Sequence, residues 1–187
     1  MTSSQVHPDI RAARAHQTAE IFTPDHLVNQ MLNKLPKSVW HRGKTFLDPA
    51  VGNGQFLIHI LWRKISRGHD PLAALSTLYG ADIMRDNIRE CRLRLLKIVS
   101  LFTPVTEQHI SVVMKQIVWI DIKKHPTGSL EYNFEFKNSP KKADIARWLK
   151  YIEKDKILDD VELPVSDEQF ERSGNTVDLF AEFDEEQ

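Results

Sequence analysis

Cys91 is the only cysteine in this chain of 187 residues. One thiol excludes an internal disulfide framework and a cysteine-rich zinc site, and it is the usage expected of a reducing cytoplasm. Long apolar runs are missing too: nothing approaches the roughly 20 residues needed to span a bilayer. The first twenty residues are polar and charged rather than signal-like. A soluble, cytoplasmic protein is therefore expected. There are no internal repeats, and the length is too short for two full domains, although a 41% hydrophobic composition suffices for one core. His26, His59, His109 and His125 share no ligand spacing, so no metal is expected. Cys91 lies in a basic helical run with no implied histidine partner, which leaves no visible nucleophile arrangement.

What the chain does have is an uneven charge. The formal net of −1 combines an acidic end with a basic body. From Glu153 to Gln187 there are 13 Asp/Glu against 3 Lys/Arg, leaving 22 Lys/Arg against 13 Asp/Glu in residues 1–152. A basic body attracts polyanions, and an acidic appendage can screen it or bind elsewhere.

Periodicity then divides the chain. Residues 1–20 read as a flexible segment, 21–158 as one α/β domain and 159–187 as an acidic, mostly disordered tail. FTPDHLVNQMLNKLP predicts a helix with Thr23 as cap, Pro24 at the first position and an apolar stripe of Leu27, Val28, Met31, Leu32 and Leu35. KTFLDPA reads as a buried strand ending at Asp48. The glycine turn VGNG follows, and then the helix QFLIHILWRKISRG, closed by Gly68. DPLAALSTL adds a short helix before the strand LYGAD. MRDNIRECRLRLLKIVSLF is a long helix with basic residues along one face, ended by Pro104. QIVWIDI is a further strand, and HPTG a turn. EYNFEF alternates Tyr132, Phe134 and Phe136 with polar residues, as a strand with one wet face does. KKADIARWLKYIEK puts Ile145, Trp148, Leu149 and Ile152 on one side of a helix.

This is a doubly wound α/β pattern, in which ligands sit at the carboxyl ends of the strands. Three such ends carry Asp48, Asp82 and Asp121. Gly52 and Gly54 stand where the backbone must turn sharply and open a helix, whose free amides favour a carboxylate or phosphate. Taken alone, such a turn is equally an ordinary strand-to-helix connection, and Asp82 and Asp121 are equally helix or turn caps.

FTPDHLV, LDPAVGNGQF, YGADI and IVWIDI occur in an order that resembles the gamma-class amino-methyltransferases, the DNA adenine-N6 enzymes that include modification subunits of type I restriction systems. The resemblance covers roughly residues 15–141 and implies a Rossmann-like class I methyltransferase fold that binds S-adenosylmethionine. By it, Thr23 and Pro24 line the methionine end of the cofactor, Asp48 stands at the head of the turn, and Gly52, Gly54 and Phe56 shape that turn against the amino-acid moiety. Asp82 holds the ribose hydroxyls, Asp121 accepts from the adenine amine, and Ile83 and Ile122 pack near the ring. Carboxylates suit these tasks because they only accept, and hydroxyls and amines donate.

The family's target-base motif, N-P-P-Y, holds an adenine flipped out of the duplex. In the same register this chain has Asn138, Ser139, Pro140 and Lys141. The Asn138 side chain and the Ser139 carbonyl supply two acceptors for the exocyclic amine. Lys141 replaces the stacking ring, worth roughly 1–3 kcal/mol per base, and Ser139 in place of proline loosens the turn. Family members continue with further strands and a target-recognition region, so the resemblance implies a partial parallel sheet in the order 3-2-1-4, with EYNFEF as an edge that a partner chain completes. DNA is the implied substrate. The alternative is an inactive adaptor of the same fold that binds DNA or a replication or restriction protein. The tail sequence NTVDLFAEFDEE resembles the short peptides that grip sliding clamps, through Val177, Leu179, Phe180 and Phe183, with Thr176 in place of the usual glutamine.

Overall fold

The computed structural model describes residues 23–124, 130–135 and 142–152 and the single positions Leu158, Val161 and Leu163. Within them the elements run α1 (Asp25–Asn33), a 3₁₀ turn (Lys37–Trp40), β1 (Phe46–Asp48), α2 (Gln55–Ser66), α3 (Pro71–Leu75), β2 (Leu78–Asp82), α4 (Arg85–Ser100), α5 (Glu107–Gln116), β3 (Ile117–Lys124), β4 (Leu130–Glu135) and α6 (Lys142–Ile152). None of these helices is long and apolar enough to cross a membrane.

The architecture is α/β: three parallel strands flanked by helices, as in a Rossmann-like unit, with a fourth strand added antiparallel. Phe46, Leu47 and Asp48 stand beside Leu78, Tyr79 and Gly80, and Gly80, Ala81 and Asp82 beside Ile117, Val118 and Trp119. Both crossovers step in the same direction across the sheet, and right-handed crossovers then put their helices on the same face. Accordingly, buried residues from α1 through α6 form one core with Leu78 and Ile117, against which Phe46 and Trp119 pack. The alternate residues Ala81, Val118 and Ile120 point the other way and form a small second cluster. On that second face Leu47 is 70% exposed and Tyr79 40%.

The expected strand order 3-2-1-4 is not found. The sheet runs β1-β2-β3-β4, and β4 pairs with β3, from Trp119 opposite Glu135 to Lys124 opposite Leu130. The reason is chain length: only residues 125–129 separate the two strands, which is hairpin length, whereas a parallel strand beyond β1 requires a crossover of a dozen or more residues. β4 is still an edge, as its alternation predicts, but at the opposite side of the sheet from β1.

Several local expectations also change. Pro24, not Thr23, occupies the cap position of α1. The apolar stripe of α1 divides, with Val28 and Leu32 buried and Leu27, Met31 and Leu35 exposed. Helix α5 has no counterpart in the sequence reading, although its signal is present: the Thr106 N–H donates to Nδ1 of His109 at 3.1 Å, closing a capping box. Cations of α2 and α4 that look like a solvated face are core. Arg63 is 1% exposed and Lys64 and Arg94 are 0%. Arg63 donates to the Oδ1 atoms of Asn33 (2.8 Å) and Asn29 (2.9 Å), and Lys64 to the Lys44 carbonyl (2.5 Å) and Thr77 Oγ1 (2.6 Å). Arg92 donates to the Ile117 carbonyl. Burial of these heads is tolerable because each is spent on oxygen acceptors. Leu158, Val161 and Leu163 pack against the core, so the chain's contact with it continues to Leu163.

Candidate functional site

At the carboxyl ends of β1 and β2 the backbone is stitched by side chains. Gly52 and Gly54 take φ values of +51° and +90°, in the left-handed region that glycine enters without steric cost. The Gly52 N–H donates to Asp82 Oδ2 at 2.9 Å, tying the turn after β1 to the end of β2. Asp82 Oδ1 accepts from the Met84 N–H at 2.7 Å and lies 3.5 Å from Asn87 Nδ2. Asp48 Oδ1 accepts from the Ala50 N–H at 3.1 Å. Burial raises the Asp48 carboxyl above its ordinary value; the Ala50 N–H opposes that shift and the charge of Asp82 adds to it.

A cavity of about 410 Å³ opens beside this turn, lined by Thr23, Asp48, Gly52, Asn53, Gln55 and Phe56, with Met31, Leu35, Phe46 and Leu47 among its apolar wall. Four of the sequence-predicted residues, Thr23, Asp48, Gly52 and Phe56, are therefore brought together. Pro24 is exposed at the head of α1, next to Thr23. Asp82 stands behind the turn, in contact through Gly52. Ile83 is 49% exposed beyond it, and its carbonyl accepts from Trp119 Nε1 at 2.8 Å. Arg85 lies over the Trp119 ring at 3.6 Å.

Two placements differ from expectation. Gly54 approaches helix α4 rather than the cavity: a β-carbon there would meet Cys91 Sγ at 2.7 Å. Asp121 does not end a strand, since β3 continues to Lys124. In register with Trp119 beside Asp82, it overhangs the end of β2 by two residues, about 7 Å. Ile122 follows it in β3. Asn138, Ser139 and Pro140 lie outside the described residues, as do Val177, Leu179, Phe180 and Phe183. The strand that precedes the first group, β4, is three strand spacings from β1, about 14 Å across the sheet.

A polar network that the sequence reading missed supports the turn from below. Asp25 Oδ1 accepts from Gln55 Nε2 and lies 2.9 Å from His59 Nε2. Gln55 Oε1 accepts from Arg94 Nη1 at 3.0 Å, and the same nitrogen lies 3.3 Å from the Asn53 carbonyl. Asn53 Nδ2 reaches Glu90 Oε1 at 3.3 Å. Burial holds His59 below its ordinary pKa despite the opposing effect of Asp25; because a carboxylate only accepts, Nε2 is the donor in this pair. The Asp25, Gln55 and His59 positions were visible one turn apart on α2 and just inside α1, yet nothing local indicates that the two helices meet there. Cys91 is fully buried, and burial pushes its thiol up, so it is packing and not a nucleophile.

No protein-family model, curated protein or solved structure matches the chain.

Proposed function

We propose that the chain is the cofactor-binding portion of an S-adenosylmethionine-dependent DNA adenine-N6 methyltransferase, whose sheet is completed by a partner protein. The observation that carries this reading is the joined pair of strand ends, with Gly52 donating to Asp82 beside a cavity of about 410 Å³ that Thr23, Asp48 and Phe56 share. The residues fit the group. Helix α2 is capped by Gly54, which has no side chain to bond its first amides, so they suit a carboxylate. Asp48 is an acceptor for an ammonium, and Phe46, Phe56 and Leu47 offer apolar cover. Asp82 and Asp121 are acceptors for hydroxyls and an amine.

When bound, the cofactor supplies an electrophilic methyl. This chain's residues would orient it, and the Asn138 side-chain oxygen and the Ser139 carbonyl would accept from the N–H groups of the target amine, which makes its nitrogen more nucleophilic. The partner is motivated by β1, which pairs with β2 alone among the described strands, and by Leu47 and Tyr79 exposed beside it.

The test is calorimetric titration with S-adenosylmethionine of wild type, Phe56→Ala and Asp82→Asn. Binding that both substitutions weaken supports the reading; its absence in wild type sinks it. Labelled methyl transfer to adenine-containing DNA, lost in Asn138→Ala, then reports the chemistry. A second reading, an inactive adaptor of this fold, is favoured by one observation: the Asp82 oxygens already accept from backbone amides of the turn. Partner or DNA binding without cofactor binding or transfer decides for it.

A further inference from the structure

A second cavity, of about 550 Å³, opens at the other end of helix α2. It is lined by Lys37, His41, Arg42, Arg63, Arg67 and His69, and among the described residues no carboxylate lines it. Only the apolar Leu32 and Leu35 are shared with the cavity beside the glycine turn. Next to it, a smaller cleft of about 390 Å³ shares Arg42 and His69 and adds a single acid, Asp70. That carboxylate accepts from the Ala73 N–H at 2.8 Å as the cap of α3.

Like charges do not gather in one concavity without cost. Here the fold gathers them deliberately, on the indole of Trp40, which is 7% exposed. Arg67 lies over its ring at 4.9 Å and Arg63 at 5.6 Å. Arg63 is anchored by Asn29 and Asn33, and Arg67 Nη1 donates to the Arg63 carbonyl at 3.1 Å, so both guanidiniums are held in place rather than left to diffuse. The carbonyls at the end of α2 do not turn the cavity negative. Those of Arg63, Lys64 and Ile65 accept from the N–H groups of Arg67, Gly68 and His69. The field is registered by a neighbour: His69 is held below its ordinary pKa by burial first, then by the charges of Lys64, Arg42 and Arg67, against a hydrogen bond to the Trp40 carbonyl. Exposed Lys37 and Arg42 stand at the rim, where an incoming anion meets them first.

We propose that this cavity is a phosphate-binding site, formed by Arg42, Arg67 and His69 with Lys37 at its mouth and the buried Arg63 adding its charge from behind, that takes the phosphodiester backbone of a nucleic acid. Guanidiniums suit it because their forked donors match phosphate oxygens, and the pre-positioning of Arg67 on Trp40 saves the entropy of ordering it. The site uses no residue at the carboxyl ends of the strands, so it stands or falls independently of the cofactor reading.

The experiment measures anisotropy of short labelled duplex and single-stranded DNA with the full chain, at several salt concentrations, with pyrophosphate as competitor. The variant is Lys37→Ala/Arg42→Ala, two exposed residues whose loss leaves the core intact; retained cooperative unfolding verifies this. The expected result is DNA binding that pyrophosphate displaces. In the variant the slope of log affinity against log salt becomes shallower by about 1 for each cation removed, about 2 in all. Binding should also move the His69 imidazole titration upward in NMR spectra, which a remote phosphate contact would not do. If pyrophosphate alone binds, and the variant loses it, the phosphate group is correct and its source is a free ligand. If neither probe binds, or the variant keeps the wild-type affinity and slope, the proposal is overturned.

Discussion

A β-carbon at Gly54 would stand 2.7 Å from the Sγ and 3.2 Å from the Cβ of Cys91. The glycine that opens helix α2 is thus required twice, by its φ of +90° and by the approach of α4. Gly54→Ala is expected to destabilise the fold by about 3 kcal/mol, combining a left-handed penalty with overpacking. Cys91→Ala removes the nearest atom, so it should cost less in the Gly54→Ala background than in wild type. A double-mutant cycle by urea unfolding checks the coupling; strictly additive effects would mean the two residues do not meet.

Lys64 predicts an unusual pH dependence. Burial lowers its ammonium from 10.5 to about 8. The unfolded chain therefore holds this proton between about pH 8 and 10.5 while the folded chain releases it, and stability contributed at this position rises across that window. Below pH 8 the full cost, about 3 kcal/mol, is present. Measured against Lys64→Met by urea unfolding, wild type should gain about 2 kcal/mol as pH rises from 8 towards 10.5. A pH-independent difference would show that Lys64 is not buried as described.

Acid acts through the histidines. His59, His69 and His109 are all held below 6.5, by burial first. As pH falls below 6.5 the unfolded chain takes up protons that the folded chain refuses, so stability declines there. Asp48 opposes this above 3.8, where its raised pKa makes the folded state protonate first. The urea midpoint should decrease steadily on acidification from neutrality, and less steeply in His69→Gln. A midpoint that rises would contradict the lowered pKa of the three rings.

Asp82 carries a structural duty whatever it binds. Asp82→Ala leaves the Gly52 and Met84 N–H groups without their acceptor and should cost about 1–3 kcal/mol. Asp82→Asn keeps the shape and one oxygen, and should cost less than half as much. Thermal unfolding of the two variants separates stability from ligand binding, and equal losses would show that the charge, not the hydrogen bonds, holds the turn.

What the sequence by itself determined was local. The glycine turn after Asp48, the helices around it and the strand ends at Asp48 and Asp82 follow from φ requirements and from periodicities that span a few residues. Even the antiparallel pairing of β4 was written in the short interval between Lys124 and Leu130, and the expected parallel order overlooked it. The capping box at Thr106 and His109 was only partly readable, because histidine stands where glutamate or glutamine is usual. Tertiary structure alone decided the rest. Arg63, Lys64 and Arg94 resemble a solvated face until their acceptors arrive from α1, the connector before β1 and the glycine turn. Thr23 reaches Asp48, Gly52 and Phe56 only because α1 packs across α2, and Gly54 meets Cys91 only through α4. Such contacts join residues some twenty to forty positions apart, and no property of either partner's own neighbourhood encodes the distance between them.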